Sequence, residues 1–141
     1  MNLKKNGDQY VIESSASMQI KPYKSHFDQQ IYVLTDARTA SAAGDFTGLL
    51  KSYTNAIFVG EEPGGNPGNI AANDLLELVL PNSKIQIQLP AVRTIAKINF
   101  AHKGRGVSPD FPMKATIKDK LEFRDFVFEQ TIHKIKTNSF K

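Results

Sequence analysis

A single serine set among alanines, in Arg38-Thr39-Ala40-Ser41-Ala42-Ala43, stands where a β-branched run hands over to a helical pattern. A serine in the first turn of a helix lies beside unpaired backbone amides and at the positive end of the helix dipole. For a nucleophile that placement helps twice. The dipole favours alkoxide-like charge, and the amide of Ala42 can point at the oxyanion of a tetrahedral intermediate. The small neighbours Ala40, Ala42 and Ala43 leave a peptide free to approach. The same position also suits plain capping, with Thr39 or Ser41 accepting from an amide of the first turn. Pattern alone leaves both readings open.

The segment 61–74, EEPGGNPGNIAAND, is the most punctuated in the chain. Its glycines would let a substrate backbone come close, or it is simply a connector. It contains neither GxGxxG nor GxxxxGK[ST], so nucleotide binding finds no support. The imidazoles are His26 and His102, in loops, and His133, beside Lys134 on a helical segment. The first two have the residue type of a general base, whereas His133 reads as surface. No pair has metal-ligand spacing, so neither a metal nor a cofactor is expected. The chain has no cysteine, which excludes a disulfide, a zinc-thiolate site and a cysteine nucleophile.

The elements that must position these residues follow from periodicity. A length of 141 residues suits one domain with a moderate core. The run 31–35, IYVLT, predicts a buried strand, and 56–60, AIFVG, a second one. Between them Ala42, Ala43, Phe46, Leu49, Leu50 and Tyr53 fall at helical steps and form one apolar stripe. Gly44 and Gly48 each cost about 1 kcal/mol of helix propensity, which predicts close approach of another element. Strand, helix and strand make a βαβ unit. The stretch 75–90 predicts a hairpin turning at Pro81-Asn82-Ser83, with Ile85, Ile87 and Leu89 on a buried face. Thr116 and Asp119 match a capping box. Ile117, Leu121, Phe128, Ile132 and Ile135 then form the stripe of a closing helix, broken near Phe123-Arg124. The net charge of +4 sits mostly on this last segment without aromatic interleaving, which reads as a solvated face and not a nucleic-acid surface. No apolar run approaches the ~20 residues of a membrane span, and the N-terminus lacks the apolar core of a signal peptide.

Four blocks in order, IYVLTDARTASAAGDFTGLL, AIFVGEEPGGNPGN, LELVLPNSKIQIQLP and GRGVSPDFP, resemble the C-terminal part of the catalytic domain of tail-specific (C-terminal processing) serine peptidases, especially the tricorn-related branch. The resemblance runs from about Phe27 to Ile135. It implies an α/β fold of the ClpP/crotonase-like spiral type, here incomplete, and hydrolysis of peptide bonds in peptide or protein substrates. It places Ser41 at the nucleophile's position and the backbone amide of Ala42 at that of one oxyanion donor. It also implies a compartment outside the cytoplasm.

Several departures accompany it. Where the Ser/Lys branch carries its general-base lysine, this chain has Asn66. Where tricorn-like members use a histidine and an acid, His102-Lys103 stand near the place without an acid. Gly44 replaces the alanine or glutamate usual in the helix. The family's DLR.N.GG segment, with the remaining oxyanion donor, is expected upstream. Residues 1–141 are therefore expected to be the C-terminal part of a domain that needs its N-terminal part, with 1–26 a poorly defined leader and with little or no activity alone. A second reading is a non-catalytic module binding extended peptides by strand addition. A third, an acyl-transfer enzyme of crotonase type, rests on shared fold alone.

Overall fold

The computed structural model of the chain describes residues 3–12, 23–100 and 104–140. The β-branched run gives strand β3 (Tyr32–Thr35), which follows a short hairpin of β1 (Leu3–Asn6) and β2 (Gln9–Ile12). Helix α1 (Ala42–Tyr53) leads to β4 (Ile57–Gly60), which pairs with β3 in parallel from Tyr32 opposite Ile57 to Thr35 opposite Gly60. This is the βαβ unit read from the sequence. The short β7 (Phe111–Pro112) adds in parallel on the far side of β4, giving the order β3-β4-β7. Phe58 on the central strand is wholly buried with Val107 and Ala56, and Ile31, Val33, Leu50 and Phe100 pack around them; Val59, on the strand's opposite face, is wholly buried as well. Near the chain's end Phe140 stacks 4.8 Å from the Tyr32 ring and 4.7 Å from Phe111, tying both outer strands together. The fold is mixed α/β.

Strands β5 (Asn69–Val79) and β6 (Gln86–Ile95) form the expected hairpin. The punctuated segment is shorter than its composition suggests: it ends at Gly68, because Asn69 already pairs with Ile95 and ladder bonding outweighs weak β-propensity. Alternation holds, with Leu76 opposite Leu89 and Leu78 opposite Ile87 on one face. Burial does not. These side chains and Ile85 are exposed, since no described residue packs over that face.

Two further expectations need correction. The apolar stripe of α1 is only in part its buried face: Leu50 packs on the core, but Phe46, Leu49 and Tyr53 are exposed, while Gly44, Thr47 and Gly48 are buried. The helix docks through its smallest residues because what it meets is a loop backbone that requires close approach. The closing helix is two, α2 (Ile117–Leu121) and α3 (Phe126–Lys136), broken where expected. The Thr116/Asp119 capping box is present, with Thr116 N donating to Asp119 Oδ2 over 2.9 Å. Yet Ile117 and Leu121 are exposed and Thr131 is the buried residue of α3. Among the described residues no helix is long and apolar enough to cross a membrane.

Candidate active site

The chain leaves β3 through a turn whose geometry is fixed by its own side chains. Thr39 N donates to Asp36 O over 2.9 Å, and Arg38 N donates to Asp36 Oδ1 over 2.9 Å. Asp36 N donates in turn to Thr39 Oγ1 over 3.1 Å. Partial burial pushes the Asp36 carboxyl up, but hydrogen bonds and charge from Arg38 outweigh it and hold the group below its ordinary value. Thr39 is thus committed to the turn and does not cap α1.

Neither does Ser41. It occupies the N-cap position with φ 54° and ψ −129°, and its side chain makes no capping hydrogen bond. A non-glycine residue at positive φ with extended ψ costs on the order of 1–3 kcal/mol and survives only where its surroundings over-determine it. A sharp strand-to-helix turn of this kind lifts a hydroxyl clear of the backbone, as the nucleophile elbow of α/β-hydrolases does. The Ser41 side chain is exposed, and no described residue is hydrogen-bonded to its Oγ. Helical bonding begins with Asp45 N donating to Ser41 O over 3.0 Å. The Ala42 amide, first in the helix, has no partner among the described residues, as helix geometry dictates.

The loop 61–68 supplies the surroundings. A Cβ on Gly65 would lie 3.1 Å from Ala40 Cα and 3.3 Å from Ser41 N, so any side chain there would push the backbone under the serine back by a few tenths of an ångström. One on Gly44 would lie 3.1 Å from Gly65 Cα, and one on Gly48 would lie 2.5 Å from Pro67 Cβ. The close approach predicted from the two helical glycines is therefore made by this loop. Three anchors hold it. Thr35 Oγ1 donates to Glu61 O over 2.8 Å, and Gly68 N donates to Asp45 Oδ1 over 2.6 Å. Glu62 receives a bidentate grip from Arg105, at 3.0 and 2.6 Å, and the Gly106 amide at 3.0 Å. The Arg105 hydrogen bonds hold Glu62 below the usual carboxylate value. Asn66 lies between Gly65 and Pro67, its Oδ1 buried without a hydrogen-bond partner among the described residues.

The GVSPD segment turns out to be a structural tie. Asp110 Oδ2 accepts from Phe58 N over 2.9 Å, and Oδ1 accepts from Lys51 Nζ on α1 over 2.5 Å. It binds helix to central strand, so the acid of this motif is spent on architecture. Periodicity could not find it, because Lys51 is 59 residues away; the same holds for Glu62 and Arg105, 43 apart. Of the candidate bases, His26 is exposed in the segment before β3, His133 is exposed on α3, and His102 lies outside the described residues. Among the described residues no three His, Asp or Glu side chains gather as metal ligands.

No curated protein compared with the chain matches it. The model of peptidase family S41 does match, over residues 2–113. That span begins upstream of Phe27 and takes in the Ser41 turn, the glycine loop, the hairpin and the Asp110 tie. The chain belongs to peptidase family S41.

Proposed function

We propose that the chain is the part of a serine endopeptidase that carries the nucleophile, with Ser41 Oγ attacking the scissile carbonyl and the Ala42 amide receiving the developing oxyanion. The observation that carries this reading is the backbone of Ser41. A strained, exposed, uncapped serine at φ 54° has no structural task, and the turn and glycine loop around it hold it there. A ClpP/crotonase-like spiral is the arrangement we assign to the complete domain, in keeping with the parallel β3-β4-β7 sheet and its α1 crossover.

Proton transfer is the missing half. Asn66, at the place the lysine base takes in the Ser/Lys branch, cannot accept a proton near neutral pH, and no described residue is hydrogen-bonded to Ser41 Oγ. General-base help contributes roughly 10²–10⁴ in rate, and one oxyanion donor on the order of 10²–10³. On this reading the isolated chain cleaves peptides slowly, and the base comes from outside the described residues. Asn66 also favours the second reading, a peptide-binding module without catalysis. The substitution Asn66→Lys separates the two. If Ser41 is a nucleophile short of a base, the variant hydrolyses an unstructured fluorogenic peptide at least tenfold faster than the native chain, and Asn66→Lys/Ser41→Ala loses the gain. Binding of that peptide with no Ser41-dependent gain favours the module.

A further inference from the structure

The carboxyl ends of all three parallel strands open into one cleft of about 900 Å³. Asp36 follows β3 there, Glu61 follows β4 and Lys114 follows β7. Such a crevice is where open parallel sheets take their ligands. Thr39, two residues before Ser41, lines the same cleft, so the serine lies within two residues' reach of its edge.

The cleft's rim is made by the corner between α2 and α3, and that corner is unusual. Phe123 N donates to Lys120 O over 3.2 Å and Arg124 N to Asp119 O over 2.9 Å, the paired bonds of a Schellman motif. Its left-handed position is the place of a glycine, yet Phe123 occupies it at φ 54°, a residue 96% exposed. The corner is clamped by Arg124, which reaches Glu129 at 2.5 Å and Asp119 at 3.5 Å. A large aromatic is held in a disfavoured backbone conformation and stays almost wholly exposed among the described residues. Strain and solvent exposure both weigh against it, so its use lies outside the folded chain.

Charge points the same way. Asp36 is paired with Arg38 and Glu61 with Lys114, while Asp125 caps α3 by accepting from Phe128 N over 3.1 Å. Lys120 has no carboxylate partner among the described residues, and Arg38 and Lys114 stay mostly exposed. The lining thus includes Lys120, without a carboxylate partner among the described residues, and, three residues on, the exposed ring of Phe123.

We infer that this cleft is a substrate subsite, in which Lys120 pairs with an acidic side chain of the bound polypeptide and Phe123 stacks on an aromatic neighbour of that acid. The inference rests on the peptide-substrate reading above, and it sets a preference for acidic-aromatic sequence near the cleaved bond. It is tested by binding with the Ser41→Ala chain, so that no chemistry intervenes. The probe is a fluorescent, C-terminally amidated heptapeptide with one Glu-Phe pair in an alanine background, read by anisotropy. Saturable binding is expected, weakened at least fivefold when the peptide's glutamate becomes glutamine. Adding Lys120→Ala or Phe123→Gly to the chain should each weaken it at least fivefold. Added salt should weaken the glutamate peptide alone. Absence of saturable binding, equal affinity for the two peptides, or indifference to both variants overturns the subsite. Because Lys120→Ala alters one exposed side chain, its result stands even if Phe123→Gly disturbs the corner. Ser41 reactivity is a separate readout: a chain that labels at Ser41 but fails here loses the subsite and keeps the nucleophile.

Discussion

Helix propensity and the packed structure predict opposite signs for Gly48→Ala. Alanine in a helix interior is favoured over glycine by about 1 kcal/mol, so a helix considered alone gains stability. Here the new methyl carbon would lie 2.5 Å from Pro67 Cβ and 3.5 Å from Pro67 Cα. Ordinary carbon contacts lie near 3.5–4.0 Å, so one neighbour must retreat by about 1 Å. Pro67 is fully buried, and its ring has no rotamer to swing away. Overpacking of this kind costs typically 1–3 kcal/mol. Set against the propensity gain, the net is a destabilisation of about 1 kcal/mol, or about 3–5 °C in Tm for a chain this size. Urea unfolding of the native chain, Gly48→Ala, Pro67→Ala and the double variant gives the coupling directly. Because the clash is between these two residues, part of the Gly48→Ala cost should be recovered in the double variant. A Gly48→Ala chain more stable than native would refute the account of how the loop lies on α1.

Other consequences follow from the same geometry. Phe123→Gly relieves a left-handed strain and gives up almost no packing, so its urea midpoint should rise, by about 0.5–1 kcal/mol in stability; a fall contradicts the corner as described. Asp110 has its pKa held below 3.8, because the Lys51 and Phe58 bonds outweigh the opposing effect of burial. A depressed carboxylate stabilises the fold above pH 3.8, and that contribution is lost as pH falls through the folded value. Asp110→Asn should therefore lose roughly 0.2–1 kcal/mol at neutral pH, a screened pair's worth, and the gap to native should close in acid denaturation below pH 3.8. A gap that widens in acid reverses the sign and sinks the tie.

How much was readable in the residues divides along sequence distance. The βαβ unit, the hairpin turn and the capping box rest on contacts within a few residues or on one periodicity, and each stands in the fold. What periodicity could not supply was which face of α1 meets the protein. Phe46, Leu49 and Tyr53 make the stronger hydrophobic stripe, yet the loop 61–68 selects Gly44 and Gly48 because the Gly65 backbone and the Pro67 ring come too close for a side chain to fit without displacement. The glycine spacing was the better guide, and it was visible. The Ser41 turn was half legible. Its position at a strand–helix junction follows from pattern, but its positive φ depends on Gly65 beneath it and on the Asp36–Thr39 lock before it. Asp110 and Glu62 were illegible as clamps, since their partners are distant in the chain.

The central claim is that the fold presents Ser41 as a nucleophile, and covalent trapping tests it most directly. The native chain and Ser41→Ala would be incubated with a fluorophosphonate probe, and the adduct mapped by peptide mass spectrometry. The account predicts a slowly formed adduct on Ser41 in the native chain and none in Ser41→Ala. Equal labelling of the two chains, an adduct on another residue, or no adduct on Ser41 after prolonged exposure would contradict it.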